Sequence, residues 1–134
     1  MAKMLQVVVV TPEQTALEQE AEFVALPLFD GEIGIAVDHS PLIGRLGFGE
    51  MRIKTGGKEL HYYIDGGFVQ VVDNVVSVLT NRAVPAAKLD VTVAQAALVT
   101  AQAKPATTDE LLALRDRAIL QARAQIRVAK HAKA

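Results

Sequence analysis

This chain of 134 residues has no cysteine, no tryptophan, and only four phenylalanines and two tyrosines. Without cysteine there is no disulfide framework, no thiolate metal site and no thiol nucleophile. So few aromatic rings leave no platform on which successive bases could stack. An excess of either charge is missing too. The 14 Lys and Arg against 15 Asp and Glu leave a net −1, which argues against a chain built mainly for nucleic acid. The apolar opening stretch, residues 1–10, contains Lys3 and Gln6. It has about half of the roughly 20 residues a membrane-spanning helix needs. It carries neither a small-residue cleavage site nor the Arg- and Ser-rich pattern of a transit peptide. It reads as a first β-strand, in a protein kept in a cytoplasm-like compartment.

What is present divides near Lys88. All nine glycines fall between Gly31 and Gly67, and none follows. The first part is rich in Val, Ile, Thr and turn residues, which suits strands. Residues 89–134 are rich in Ala, Leu, Gln and Arg, which are good helix formers. Charge splits at the same place: residues 1–88 carry a net −4 and residues 108–134 a net +3. The near-neutral total hides an acidic body and a basic tail.

Strands are expected at 5–10, 14–17, 22–28, 33–37, 49–54, 59–64, 67–72 and 75–80. Met51 and Ile53 alternate with Arg52 and Lys54, and Leu60, Tyr62 and Ile64 with His61, Tyr63 and Asp65. That period of two sends one set to a core and the other to water. Gly56-Gly57 and Asp73-Asn74 are the expected hairpin turns. Glu18, Glu20 and Glu22 alternate as the wet side of an edge strand, which keeps sheets from pairing edge to edge. Short strands at close spacing point to an antiparallel sandwich.

Two helices follow, over about 93–103 and 109–130. Thr92-x-x-Gln95 and Thr107-x-x-Glu110 have capping-box spacing, and Pro105 separates them. Leu112, Ile119 and Ile126 recur every seven residues with Ala122 and Ala129 beside them, and Leu111 and Ala118 widen the stripe. This is the pattern of a helix laid on a partner, through a thin seam because alanine buries little area. A hairpin so held is able to detach.

Little in the chain suits catalysis. His39, His61 and His131 have no metal-ligand spacing, so no metal site is expected. Ser40 and Ser77 lack a nucleophile-elbow context, and Gly44, Gly47 and Gly49 do not form a dinucleotide fingerprint. Residues 29–43 read equally as a turn-rich connection or as a contact loop carrying Asp30, Glu32, Asp38 and His39. Arg115, Arg117, Arg123, Arg127, Lys130 and Lys133 form a solvated face, or meet an acidic protein surface, or touch nucleic acid or anionic lipid. Nucleic acid is the weakest of these, since the net charge is small and no aromatics interleave.

Three stretches together carry a family resemblance. Leu26-Pro27, Gly31-x-x-Gly34-Ile35 and His39-Ser40-Pro41-Leu42 form the first. Asp65-Gly66-Gly67-Phe68-Val69-Gln70-Val71 with Asn74-Val75-Val76-Ser77-Val78-Leu79 forms the second. Leu89-Asp90 before an Ala-rich helical pair is the third. In this order they resemble the ε subunit of F-type ATP synthases over essentially the whole chain. The resemblance implies an α+β protein: an N-terminal antiparallel β-sandwich of about ten strands over residues 1–88, and a C-terminal two-helix hairpin over 89–134. It implies a non-catalytic central-stalk subunit of a proton-translocating synthase, without a cofactor. The sandwich would bind the γ subunit and the c-ring, with Asp30, Glu32 and His39 as ring contacts. The hairpin would fold beside the sandwich or extend along γ toward the α and β subunits, restraining ATP hydrolysis. Arg115, Arg117, Arg123, Arg127 and Lys130 would then face acidic residues on β. The implied location is the cytoplasmic face of a bacterial plasma membrane, with a plastid thylakoid as second choice, touching the membrane only through the complex.

Some members of that family bind ATP through Ile/Leu-Asp-x-x-Arg-Ala and two arginines four apart on the last helix. Here Leu89, Asp90 and Ala94 match, but Val93 stands at the arginine, while Arg123 and Arg127 keep the helix spacing. Valine cannot supply the charged fork that reads phosphate, so weak or absent ATP binding is expected, and Asp90 reads as a linker or cap residue. Leu28 also departs from the Leu-Pro-Gly that many members have at the first loop. Two rivals come from other classes: a small β-sandwich enzyme, which needs a pocket with converging polar groups, and a nucleic-acid adaptor with a basic helical tail, which needs steeply salt-dependent binding.

Overall fold

The computed structural model describes residues 3–132; Met1 and Ala2, expected in the first strand, and Lys133 of the basic tail lie outside the described residues, as does Ala134. Eight strands come first: β1 (Leu5–Val10), β2 (Thr15–Ala21), β3 (Phe23–Leu28), β4 (Gly31–Ala36), β5 (Leu42–Thr55), β6 (Lys58–Val72), β7 (Val75–Leu79) and β8 (Ala83–Pro85). A single 3-10 turn, Ala86–Lys88, leads into helices α1 (Val91–Ala103) and α2 (Asp109–Ala132).

The strands run in the order β2-β1-β7-β6-β5-β3-β4, with β8 on β6. Pairing is antiparallel except between β1 and β7, which run parallel. The expected antiparallel sandwich forms, with that one parallel pair inside it. The inward residues Leu5, Val7, Leu26, Ile53, Ile64 and Val76 belong to one fully buried core. Edge strand β2 turns Glu18 and Glu20 to solvent, and Glu22 just beyond it is exposed as well. Both expected hairpin turns form: Gly56 and Gly57 at φ 56° and 78°, Asp73 and Asn74 at φ 48° and 65°.

The strand count is eight rather than about ten, and the stretches expected at 49–54, 59–64 and 67–72 are parts of two long strands of 14 and 15 residues. Gly47 and Gly66-Gly67 read as breaks in the sequence. In the fold Gly47 and Gly66 face each other in a one-residue break of the β5–β6 ladder, with the same register on either side, while β5 shifts register against β3. Leu46 is buried on one side of the break and Met51 and Ile53 on the other; on the paired strand Ile64 gives way to Val69 and Val71. The side-chain parity therefore flips mid-strand while the chain continues. Gly67, at φ 108°, has to be glycine, because a Cβ there would collide with the Leu79 carbonyl.

Helix α1 starts two residues earlier than expected. Asp90, not Thr92, is the cap: its Oδ1 accepts from the Thr92 and Val93 amides at 2.8 and 3.3 Å. Lys104 is extended (φ −69°, ψ 134°), the conformation its following proline imposes, so the helix ends there. For α2 the cap is Thr108 rather than Thr107, its Oγ1 accepting from the Leu111 amide at 3.1 Å. That leaves Asp109 and Glu110 in the first turn, where the helix dipole favours them. The expected stripe is also redrawn. Ala122, Ala124, Val128 and Ala129 are buried, but Leu111 and Leu112 are exposed. Lys104 lies beside Ala118 in a small cleft, so the first turns of α2 overhang the end of α1 and nothing covers them.

Candidate functional site

Beyond the break at Gly47 and Gly66, β5 and β6 point Phe48, Glu50, Arg52, His61, Tyr63 and Asp65 away from the core. Alternation alone assigns this face to water. Instead α2 lies on it: Tyr63 is fully buried and Asp65 is 8% exposed. Ala124, Val128 and Ala129 of α2 form a second core with Tyr63, Ala86 and Leu89. Small residues on the helix let its backbone come close enough to cover the phenol ring.

A polar network sits at one end of this contact. Tyr63 donates its hydroxyl to Asp65 Oδ1 at 2.8 Å, and Gln121 donates its amide to the same oxygen at 3.0 Å. The Asp65 amide donates to Thr80 Oγ1 at 3.2 Å, which ties the network to the strand behind it. Burial pushes the Tyr63 phenol well above its ordinary 10.0, and the adjacent Asp65 carboxylate pushes it further. Nearby, the Arg117 guanidinium stands 5.9 Å above the Phe48 ring. At the other end, His131 on α2 reaches Glu50 and His61 of the sandwich.

A cleft of about 790 Å³ opens beside the contact, where Glu32, Arg45 and Glu50 of the sandwich face Arg123 and Arg127 of α2. Asp90, Val93 and Ala94 are not among its walls. The residues matching the two halves of the ATP motif are therefore not gathered around this cleft. Arg115 is half-buried with its Nε unpartnered, and Lys130 is exposed. Among the described residues no ion pair joins an arginine of α2 to an acid.

The three ring-contact candidates do not form one cluster. Asp30 is exposed in the β3–β4 turn, and Glu32 beside it is paired with Arg52 at 2.7 Å. His39 lies past the opposite end of β4, half-buried, donating to the Ser40 carbonyl at 2.7 Å. Its neighbour Asp38 is tied to Asn74 (2.6 Å from its own amide, 3.1 Å from the Asn74 amide) and to Lys3 at 3.4 Å. The Asn74 hydrogen bond, then the Lys3 charge, hold the Asp38 carboxyl below its usual range.

One surface was not found by reading the sequence. On the other side of the break the outward face of β5, β6 and β7 leaves large apolar side chains bare, Ile43 76%, Phe68 59% and Leu79 52% exposed with Val72 and Val75, among the polar Arg45, Gln70 and Ser77. The signal was present: Phe68-Val69 and Val71-Val72 on β6, and Val75-Val76 and Val78-Leu79 on β7, are apolar on both faces. A strand of that kind has two surfaces to cover.

Residues 4–86 match the family described as ATP synthase, Delta/Epsilon chain, beta-sandwich domain. The ATP synthase epsilon chain of Rhodopirellula baltica is 47% identical over 94% of this chain and 98% of its own length. The chain belongs to the ATP synthase epsilon family. A chloroplastic epsilon chain from Emiliania huxleyi is 42% identical over 70% of this chain and 72% of that one. A chain in the Euglena gracilis mitochondrial ATP synthase structure, resolved with OSCP, F1 and c-ring, superposes with a TM-score of 0.80. It covers 99% of this chain and 82% of its own, at 23% identity, and so shares the epsilon fold. In this chain one face of the sandwich is covered by α2 and another leaves Ile43, Phe68 and Leu79 bare.

Proposed function

We propose that this chain is a non-catalytic subunit of the F-type ATP synthase central stalk, joining γ to the c-ring through its sandwich and restraining ATP hydrolysis through its helices. In this reading residues 1–88 are the coupling unit and 89–134 the regulatory one. The face that bares Ile43, Phe68 and Leu79 is the surface offered to γ, since several large apolar side chains exposed on one sheet face mark a protein contact. Asp30 with Glu32, or His39 at the other end of β4, meets the ring; removing each charge separately tells which end does. Among the described residues no helix is long and apolar enough to cross a membrane, which fits attachment through the complex, at the cytoplasmic face of a bacterial membrane.

The observation that carries the regulatory half is the cover over Tyr63 and Asp65. It is made of alanines and one polar network, a contact that a partner can replace. Only a difference in partner affinity between docked and extended forms shifts such an equilibrium. Extended, α2 alone spans roughly 36 Å at 1.5 Å per residue, and Arg115, Arg117, Arg123, Arg127 and Lys130 become available to acidic residues on β.

The test adds the full chain, or one ending after Lys88, to its own ATPase that contains γ and lacks this subunit. Both are expected to bind, and only the full chain to slow hydrolysis. Equal rates would remove the regulatory half; failure of both to bind would remove the whole reading.

A further inference from the structure

Three potential metal ligands far apart in sequence meet where the tip of α2 touches the sandwich. Glu50 comes from β5, His61 from β6 and His131 from the last turn of α2, and their ligand atoms all lie within 4.8 Å of one another. His131 Nδ1 is 2.9 Å and His61 Nδ1 3.4 Å from the same oxygen, Glu50 Oε2. The two rings meet edge to face with centroids 5.6 Å apart.

Several details fit an ion better than a simple ion pair. His61 Nδ1 is buried and makes no hydrogen bond despite the nearby carboxylate. Its other nitrogen, Nε2, is 3.3 Å from Glu59 Oε1. A histidine that faces a shared centre with one nitrogen and a carboxylate with the other has the arrangement by which outer carboxylates orient metal-bound imidazoles. The far oxygen of Glu50 faces the Arg52 Nε at 4.0 Å, which leaves Oε2 turned to the histidines. Tetrahedral zinc, with bonds of about 2.0–2.1 Å, sets neighbouring ligand atoms about 3.3 Å apart. The two histidine–carboxylate distances, 2.9 Å (a hydrogen bond without the ion) and 3.4 Å, bracket that spacing, and all the ligand atoms lie within 4.8 Å of one another. His131 is exposed near the end of its helix, so a small rotation accommodates the ion.

We propose that Glu50, His61 and His131 form a site for a zinc-class divalent cation that clips the end of α2 to the sandwich. Two imidazoles and one carboxylate leave a fourth position for water, and that donor set selects zinc, nickel or copper over magnesium and calcium. The full ligand set exists only when α2 is docked. By linkage the ion therefore favours the docked form. Binding itself stands on the geometry alone; its consequence for hydrolysis rests on the function proposed above.

The test is a calorimetric titration of the untagged full chain with zinc chloride in a non-chelating buffer, followed by hydrogen exchange of α2. The expected result is one ion per chain and α2 amides exchanging at least tenfold more slowly. The same titration on His131→Ala and Glu50→Gln, each checked by circular dichroism, should show affinity reduced at least tenfold. Magnesium chloride at the same concentration should leave exchange unchanged. Absence of stoichiometric binding would overturn the site, as would parental affinity in either variant or an equal response to magnesium. If zinc binds as expected but leaves hydrolysis by the reconstituted ATPase unchanged, the site stands and the regulatory reading fails.

Discussion

Gln121 of α2 donates its side-chain amide to Asp65 of β6 at 3.0 Å, across a boundary of 56 residues in sequence. With His131 to Glu50 at the far end, it is one of the polar contacts that fix where along the sheet the helix rests, since the alanines around it fit Tyr63 without directional bonds. Gln121→Ala removes a donor to a buried carboxylate. The expected cost is about 1 kcal/mol, read as roughly fivefold faster amide exchange in α2 with strands β1–β7 unchanged.

Ala124 is fully buried against the Tyr63 face. Ala124→Leu adds bulk where the helix and sheet already touch, and overpacking of this kind costs about 1–3 kcal/mol. Exchange of the α2 amides should rise and Tyr63 should become solvent-accessible, while sandwich amides keep their protection. As the chain has no tryptophan, exchange and tyrosine ultraviolet absorption are the suitable probes.

The Tyr63 phenol ionises less readily in the fold than its ordinary value of 10.0, because burial and then Asp65 oppose the phenolate. Its contribution to stability is full below pH 10 and falls as pH rises from there toward the folded value. Urea midpoints measured from pH 9 upward should decline in the parent chain, and less steeply in Tyr63→Phe. Parallel declines would show that another group governs alkaline unfolding.

ATP binding by the isolated chain should be weak or absent. Val93 holds the position where the family motif has arginine, and Asp90 is engaged as the cap of α1 at 2.8 Å from the Thr92 amide. Calorimetry with magnesium–ATP should show no saturation at submillimolar ligand. Asp90→Ala should instead cost about 1 kcal/mol of stability through the lost cap.

Much of the sandwich was legible because alternation and turn chemistry are local. Met51 and Ile53, Gly56-Gly57 and Asp73-Asn74 all announce themselves within a few residues. The glycines at 47, 66 and 67 misled, since a turn and a continuing strand both use glycine, at 66 and 67 for positive φ and at 47 for the close approach of the Leu28 carbonyl. The cap on α1 had two candidates, Thr92 by capping-box spacing and Asp90 two residues before it; the helix starts at the earlier one, whose Oδ1 takes the Thr92 and Val93 amides. The docking face was not legible. His61, Tyr63 and Asp65 have the polarity of a wet strand face, and only the fold brings α2 over them. For the same reason Glu50, His61 and His131 show no ligand spacing along the chain.

The central claim is that α2, held on the sandwich by Asp65, is the element whose release slows hydrolysis. Asp65→Ala tests it from the sandwich side, leaving every residue of the helix unchanged. The measurement is the hydrolysis rate of γ-containing ATPase lacking this subunit, reconstituted with the parent chain or with Asp65→Ala at equal occupancy. Loosened docking should slow hydrolysis below the rate with the parent chain. An equal or faster rate, with the variant fully bound and α2 shown by exchange to be released, would contradict the account.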